Sequence, residues 1–202
     1  MKTILLVAVV FLFTAESFGQ QDSILKQKID SLYAVDQEVQ TDIIAAYQNN
    51  AEKKVIESLY TIKEEAFKRH IPVLKELVNK KGLPGYREVG QESSDNFMAM
   101  VNHGYYDIPF QQKVAKLGKK QAKQKNISTP ALAMMIDKMK IKSGQKQIYG
   151  TQLDYTDKGE AIATNLRRPA TVDQRRKKMG LSILKDYLQN MTDLHKKMNE
   201  RK

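Results

Sequence analysis

Cysteine and tryptophan are absent from this chain of 202 residues, and histidine occurs only 3 times. Without a thiol there is no disulfide, no thiolate mechanism and no lipid-bearing cysteine behind an export signal, so stability must come from packing alone. No set of metal ligands, nucleotide-binding loop or activated nucleophile completes itself, and the expected metal and cofactor complement is none. Aromatic residues are sparse at 7%. No strand interleaves them with basic residues as RNA-binding sheets do, which argues against a nucleic-acid partner. A second apolar run of membrane-spanning length is also missing, so nothing anchors the chain once its N-terminus is set aside.

That N-terminus carries Lys2, an apolar run from Ile4 to Phe13 and the small-x-small pattern Ser17-Phe18-Gly19. The run falls short of the roughly 20 residues a spanning helix needs. It reads as a secretory signal peptide over residues 1–19, giving a mature start near Gln20 and a periplasmic or secreted protein. The net charge is +11. Such a field favours encounters with an anionic small molecule or an acidic component of the cell envelope, although the lysines spread over several helices as they do on a solvated surface.

Apolar residues at Leu25, Ile29, Leu32, Val39, Ile43 and Ala46 follow three- and four-residue steps, interrupted by Asp36, and predict a long amphipathic helix. Asn49-Asn50 breaks it. Val55, Leu59, Ile62 and Ala66 repeat the spacing on a second helix, paired with the first as an antiparallel hairpin. Pro72 is expected to end or kink that helix near His70, with a new helix from Val73 to the C-cap Gly82. Residues 20–81 thus form an N-terminal helical hairpin and 82–202 the remaining helical domain. In the latter, a loop from Leu83 to Gly90 precedes a helix over Gln91 to Asn102 that delivers His103. Asp107 and Ser128 are predicted N-caps of the next two helices, the second burying Leu132, Met135, Ile136 and Met139, with Met134 as adaptable core. After Ser143-Gly144 the pattern turns to alternation over Gln147–Tyr155. With the turn Thr156-Asp157-Lys158-Gly159 and a return through Leu166, it predicts a small β-hairpin. Thr171 caps a basic helix, and Leu181, Leu184, Leu188, Met191 and Met198 mark a last helix that closes the bundle. The fold class is mainly α: a helical bundle with a long N-terminal helical hairpin and one small β-hairpin inserted near residues 147–166.

The densest polar stretch is Gly144-Gln145-Lys146-Gln147-Ile148-Tyr149-Gly150-Thr151-Gln152. Gln147 and Gln152 offer donors and acceptors, Tyr149 and Thr151 hydroxyls, and Arg175 and Arg176 a bidentate grip on carboxylate or phosphate. His103, at a helix C-terminus where the dipole favours imidazolium, is either a proton donor or a cap for a terminal carbonyl. Asp137 is a carboxylate able to orient it or to pair with a lysine.

These motifs resemble a bacterial family catalogued only as a domain of unknown function. The resemblance rests on Gly82-Leu83-Pro84, Val89-Gly90, Val101-Asn102-His103 and Ala131 through Lys138. It continues through Gly144 to Gln152, Val172-Asp173-Gln174-Arg175-Arg176 and Met179-Gly180-Leu181, covering roughly the C-terminal two-thirds. The family typically has Gln-His at Asn102-His103, Asp-Arg at Asp137-Lys138 and an acidic residue in place of Arg168. It implies no activity, only that His103, Asp137, Gln147, Tyr149, Gly150, Thr151, Gln152, Arg175 and Arg176 converge. Three functions fit: a ligand-binding or interaction domain of the envelope, with Gln147, Tyr149, Thr151, Gln152, Arg175 and Arg176 around an anionic or amide-rich ligand; a hydrolase or transferase with His103 as general acid/base and Asp137 orienting it; or a structural protein with no ligand.

Overall fold

The computed structural model describes residues 22–199; the expected leader, the mature start near Gln20 and the last three residues lie outside the described residues. Asp22 accepts from the Leu25 amide and opens α1 (Ser23–Gln48). Its apolar seam buries Leu25, Ile29, Val39, Ile43 and Ala46. After Asn50, which adopts φ 51°, the chain returns as α2 (Lys53–Lys81), packed along α1.

Helix α2 differs from expectation twice. It runs through Pro72 without ending near His70. Pro72 sits on the exposed face, so the carbonyl it leaves without a donor faces water, while Ile71, Leu74 and Val78 hold the next turns in the core. The seam is also rotated: Val55 and Ile62 are exposed, and Leu59, Lys63, Ala66, Phe67 and His70 turn inward.

Gly82 ends α2, its amide bonded to the Val78 carbonyl. The predicted loop contains one helical turn, α3 (Tyr86–Val89), tied down by the buried Asn126 through the Tyr86 and Arg87 amides. Next come α4 (Gln91–His103), α5 (Ile108–Lys123) and α6 (Thr129–Lys142), the last two capped by Asp107 and Ser128 as read from sequence. Phe97, Met98, Val101, Phe110, Val114, Leu132, Met135 and Ile136 join Leu25, Ile29, Ile71 and Leu74 in one core. Met134, expected inside, points outward.

The hairpin is smaller than predicted. Among the described residues only β1 (Asp154–Tyr155) and β2 (Ala161–Ile162) pair as strands, antiparallel, with an isolated parallel bridge between Gln147 and Leu166. A 3-10 turn (Pro169–Thr171) leads into α7 (Val172–Lys178); Thr171 makes no side-chain cap. Helix α8 (Leu184–Asn199) packs on β2 and α7, where the sequence put it across the bundle. The Thr192 hydroxyl accepts from the Ala161 amide at 2.8 Å, and His195 stacks on Tyr155 with ring centroids 3.9 Å apart. The mainly α architecture with a small β-hairpin is as expected. No helix among the described residues is long and apolar enough to cross a membrane.

Candidate functional site

Asp137, on the buried face of α6, is fully enclosed. Its carboxylate accepts from the amides of Ile148 (2.6 Å), Tyr149 (3.0 Å) and Thr151 (3.1 Å) and from the Thr151 hydroxyl (3.1 Å). Those amides are therefore unavailable to a sheet ladder, which is why the predicted first strand survives only at Asp154–Tyr155. From the other side, the carbonyls of the same segment are held by α7. Arg175 Nε donates to the Ile148 carbonyl at 2.8 Å, and Arg176 Nη1 to Tyr149 at 2.7 Å. Gly150 adopts φ 69°, a conformation that favours glycine, and a Cβ there would stand only 3.0 Å from a Leu184 methyl.

Gln147 is fully buried and behaves as a surrogate strand residue. Its Nε2 donates to the carbonyls of Gln152 (3.0 Å) and Thr164 (2.6 Å), and its Oε1 accepts from the Gln152 amide (3.1 Å). Arg176, 1% exposed, gives its Nε to the Ser182 carbonyl at 2.6 Å and lies 4.8 Å from the centroid of the Tyr187 ring. Burial pulls the Arg176 guanidinium below its ordinary value and pushes the Tyr149 hydroxyl up, Asp137 adding to the latter. The structure thus gathers Asp137, Gln147, Tyr149, Thr151, Gln152, Arg175 and Arg176 in one place. Their polar groups mostly bind each other's backbone.

His103 is elsewhere, and the carboxylate beside it is not Asp137. Its Nδ1 lies 2.9 Å from Oδ1 of Asp36 on α1, a side chain with no exposure. The imidazole stacks on Phe67 of α2 at 4.6 Å between centroids and keeps 24% of its side-chain surface in solvent. It does not cap a terminal carbonyl, because the helix turns its side chain toward α1. Gln37 Nε2 donates to the second Asp36 oxygen at 3.0 Å.

Cations and loose ends surround this pair. Lys63 Nζ stands 5.6 Å from the Phe67 ring centroid and donates to Gln40 Oε1; burial lowers its ammonium, with Asp36 opposing. Lys138, over the Tyr105 ring at 5.0 Å, is lowered by burial and then by the charges of Lys142 and Lys63. His70, 7% exposed, is lowered by burial, against the attraction of Asp36. His70 Nδ1 and Asn102 Oδ1 are buried without a partner. A recess of about 220 Å³ opens against Phe67, lined also by Glu64, Lys68, Tyr105 and Tyr106. Several shifted groups and unfilled hydrogen-bonding positions thus lie beside a carboxylate-held imidazole, a combination found at functional sites and also in structural networks.

The family model for a family of unknown function, DUF6624, matches residues 23–198. The chain belongs to DUF6624. Its match starts at the first turn of α1, so the family unit takes in the helical hairpin with Asp36 and Lys63, well beyond the C-terminal two-thirds that the motifs mark. Neither the curated proteins nor the solved structures contain a match.

Asp36, Lys63 and His70 escaped the sequence reading. Asp36 left a trace as the polar residue interrupting the α1 seam, and a carboxylate at a core position requires a partner. Lys63 and His70 were hidden by the wrong phase assigned to α2. Among the described residues, no three His, Asp or Glu side chains come together as a metal cage.

Proposed function

We propose that this chain is an exported acid–base enzyme, a hydrolase or transferase acting on an anionic substrate, with His103 as its proton-transfer residue. The observation that carries the proposal is the 2.9 Å contact between His103 Nδ1 and the buried Asp36 carboxylate. A carboxylate that accepts the Nδ1 proton fixes the neutral imidazole in one tautomer and leaves the Nε2 lone pair free to take a proton from water or a hydroxyl. As the imidazolium forms, the same carboxylate stabilises it, and Nε2 then returns the proton to the leaving group. Asp36 is a positioning residue in this scheme. Lys63 and Lys138, partly withdrawn from water, supply the field for a negative substrate, and the Phe67 ring fixes the plane of the imidazole.

The test is turnover of a panel of chromogenic anionic carboxylic esters, phosphoric esters and glycosides by the wild type, His103→Gln and Asp36→Asn. General acid–base groups contribute about 10²- to 10⁴-fold. The proposal expects at least the lower figure to be lost in His103→Gln, and a fall in kcat with KM retained in Asp36→Asn. Turnover indifferent to both changes sinks it. Export is checked separately by N-terminal sequencing of the protein recovered outside the cytoplasm, expected to begin near Gln20.

A further inference from the structure

A second open surface lies on the far side of the clamped loop. Ile148, Arg167, Arg168, Thr171, Gln174, Arg175 and Lys178 line a depression of about 420 Å³. Four of these seven residues are cations and none is an acid. None of the ion pairs among the described residues involves the four. Asp173, the acid of α7, lines a different depression and accepts from the Leu184 amide at 2.7 Å.

The floor is built rather than incidental. Arg175 Nε donates to the Ile148 carbonyl, Nη1 to Thr171 Oγ1 (2.7 Å) and the Arg168 carbonyl (3.3 Å), and Nη2 to the Arg167 (2.5 Å) and Arg168 (3.3 Å) carbonyls. All of its N–H groups are used on neutral oxygens, so it brings a fixed, uncompensated charge and no free donor. The same bonds hold the backbone of Arg167 and Arg168. Arg168 takes φ 45° and ψ 70°, a left-handed conformation that a residue of its kind seldom adopts. The exposed side chains of Arg167, Arg168 and Lys178 therefore rise from a rigid rim around a positive floor.

We propose that this depression binds a phosphate group, with Arg167, Arg168 and Lys178 donating to its oxygens, Gln174 adding a neutral donor and Arg175 contributing charge from below. Forked guanidinium donors suit tetrahedral oxyanions, and several converging cations suit a dianion better than a single carboxylate. The bidentate grip read from sequence at Arg175 and Arg176 thus passes to residues nearby, since both of those arginines are engaged with backbone. The site stands apart from His103 and does not depend on the acid–base proposal.

The experiment is an amide NMR titration of the protein with inorganic phosphate, beside sedimentation with phosphatidylcholine vesicles with and without phosphatidic acid. The variants are Arg167→Ala, Arg168→Asn and Lys178→Ala, singly and combined; asparagine tolerates the left-handed backbone at 168. All three side chains are exposed, so an unchanged melting curve is the control for folding. Phosphate is expected to shift the amides of residues 167–178 saturably, and the triple variant to bind at least about tenfold more weakly, a loss that charge-assisted hydrogen bonds readily account for. Capture of the phosphatidic acid vesicles by the same side chains, together with phosphate binding, assigns the phosphate to a lipid headgroup; phosphate binding without capture assigns it to a soluble ligand. Affinity unchanged in the triple variant, shifts centred elsewhere, or vesicle capture with no phosphate binding overturns the site.

Discussion

Two buried aspartates divide this molecule. Asp137 and Asp36 are both buried, but the first has its carboxylate occupied by three backbone amides and a hydroxyl of one loop, whereas the second holds an imidazole and the Gln37 amide near buried groups left unpaired. A polar cluster whose groups mostly bond to one another fixes conformation and leaves little capacity for a substrate. A cluster with an imidazole edge in solvent and partly desolvated lysines beside it keeps that capacity. On the proposed function, the densest polar motif in the sequence serves the fold, and the chemistry falls to the pair of His103 and Asp36, the aspartate that interrupts a helix seam.

Breaking the closed cluster should give the largest effect on stability. Asp137→Ala leaves three amides and a hydroxyl facing an empty space in the core. A buried donor without a partner costs about 1–3 kcal/mol. The loss should therefore reach about 4 kcal/mol or more, measured as a fall in the urea midpoint, and the hairpin resonances should broaden first. A loss below about 1 kcal/mol would falsify the clamp. Arg176→Lys comes next. It keeps the charge but not the fork that reaches Ser182 and Tyr149 at once, and about 2 kcal/mol should go.

The helical outline was legible because amphipathic spacing, Asp107 and Ser128 at N-caps, and Gly82 and Gly144 past helix ends are local signals. The failures share a physical cause: in each, tertiary packing or a non-local bond overrode the local pattern. The alternation of Gln147–Tyr155 is a strand pattern, yet Asp137 takes the amides a strand would use. Pro72 carries a helix-breaking preference that a buried Ile71 and Leu74 override. The phase of α2 was set by Val55 and Ile62, which face solvent near the end of the hairpin remote from the core. At the candidate site, His103 was visible as a rare residue at a helix end, and its partner was not, because 67 positions separate it from Asp36.

A smaller effect sharpens the contrast through pH. Burial depresses His70 below its ordinary 6.5, so the unfolded chain binds this proton more readily than the folded one. Its contribution to stability is then complete above pH 6.5 and is lost as pH falls through the lower folded value. The groups facing it are Asp36 on α1, Arg69 on its own helix and His103 on α4. The lowered carboxylates Asp22, Asp30 and Glu76 titrate below 3.8 or 4.5, outside this window. Urea unfolding of the wild type should therefore weaken between pH 6.5 and 5, and His70→Gln should flatten that slope. A slope that persists unchanged in the variant assigns it to another group.

The smallest change in stability is expected at the aspartate that positions the imidazole in the proposed mechanism. In Asp36→Asn, the amide oxygen can still accept from His103 Nδ1, so only the contact from Gln37 and the charge are lost, about 1 kcal/mol or less. The comparison with Asp137→Ala is thus a ratio of severalfold between two enclosed aspartates. The imidazole should respond nonetheless, because a neutral acceptor holds the Nδ1–H tautomer less firmly than a carboxylate. Long-range ¹H–¹⁵N correlation of the histidine side chains reads this directly. The wild type should show His103 protonated at Nδ1 in its neutral form, and the variant a mixture of tautomers. A variant that unfolds as readily as Asp137→Ala would make Asp36 a second fold device. One that folds, keeps the tautomer and keeps turnover would remove Asp36 from the mechanism while leaving His103 to be tested alone.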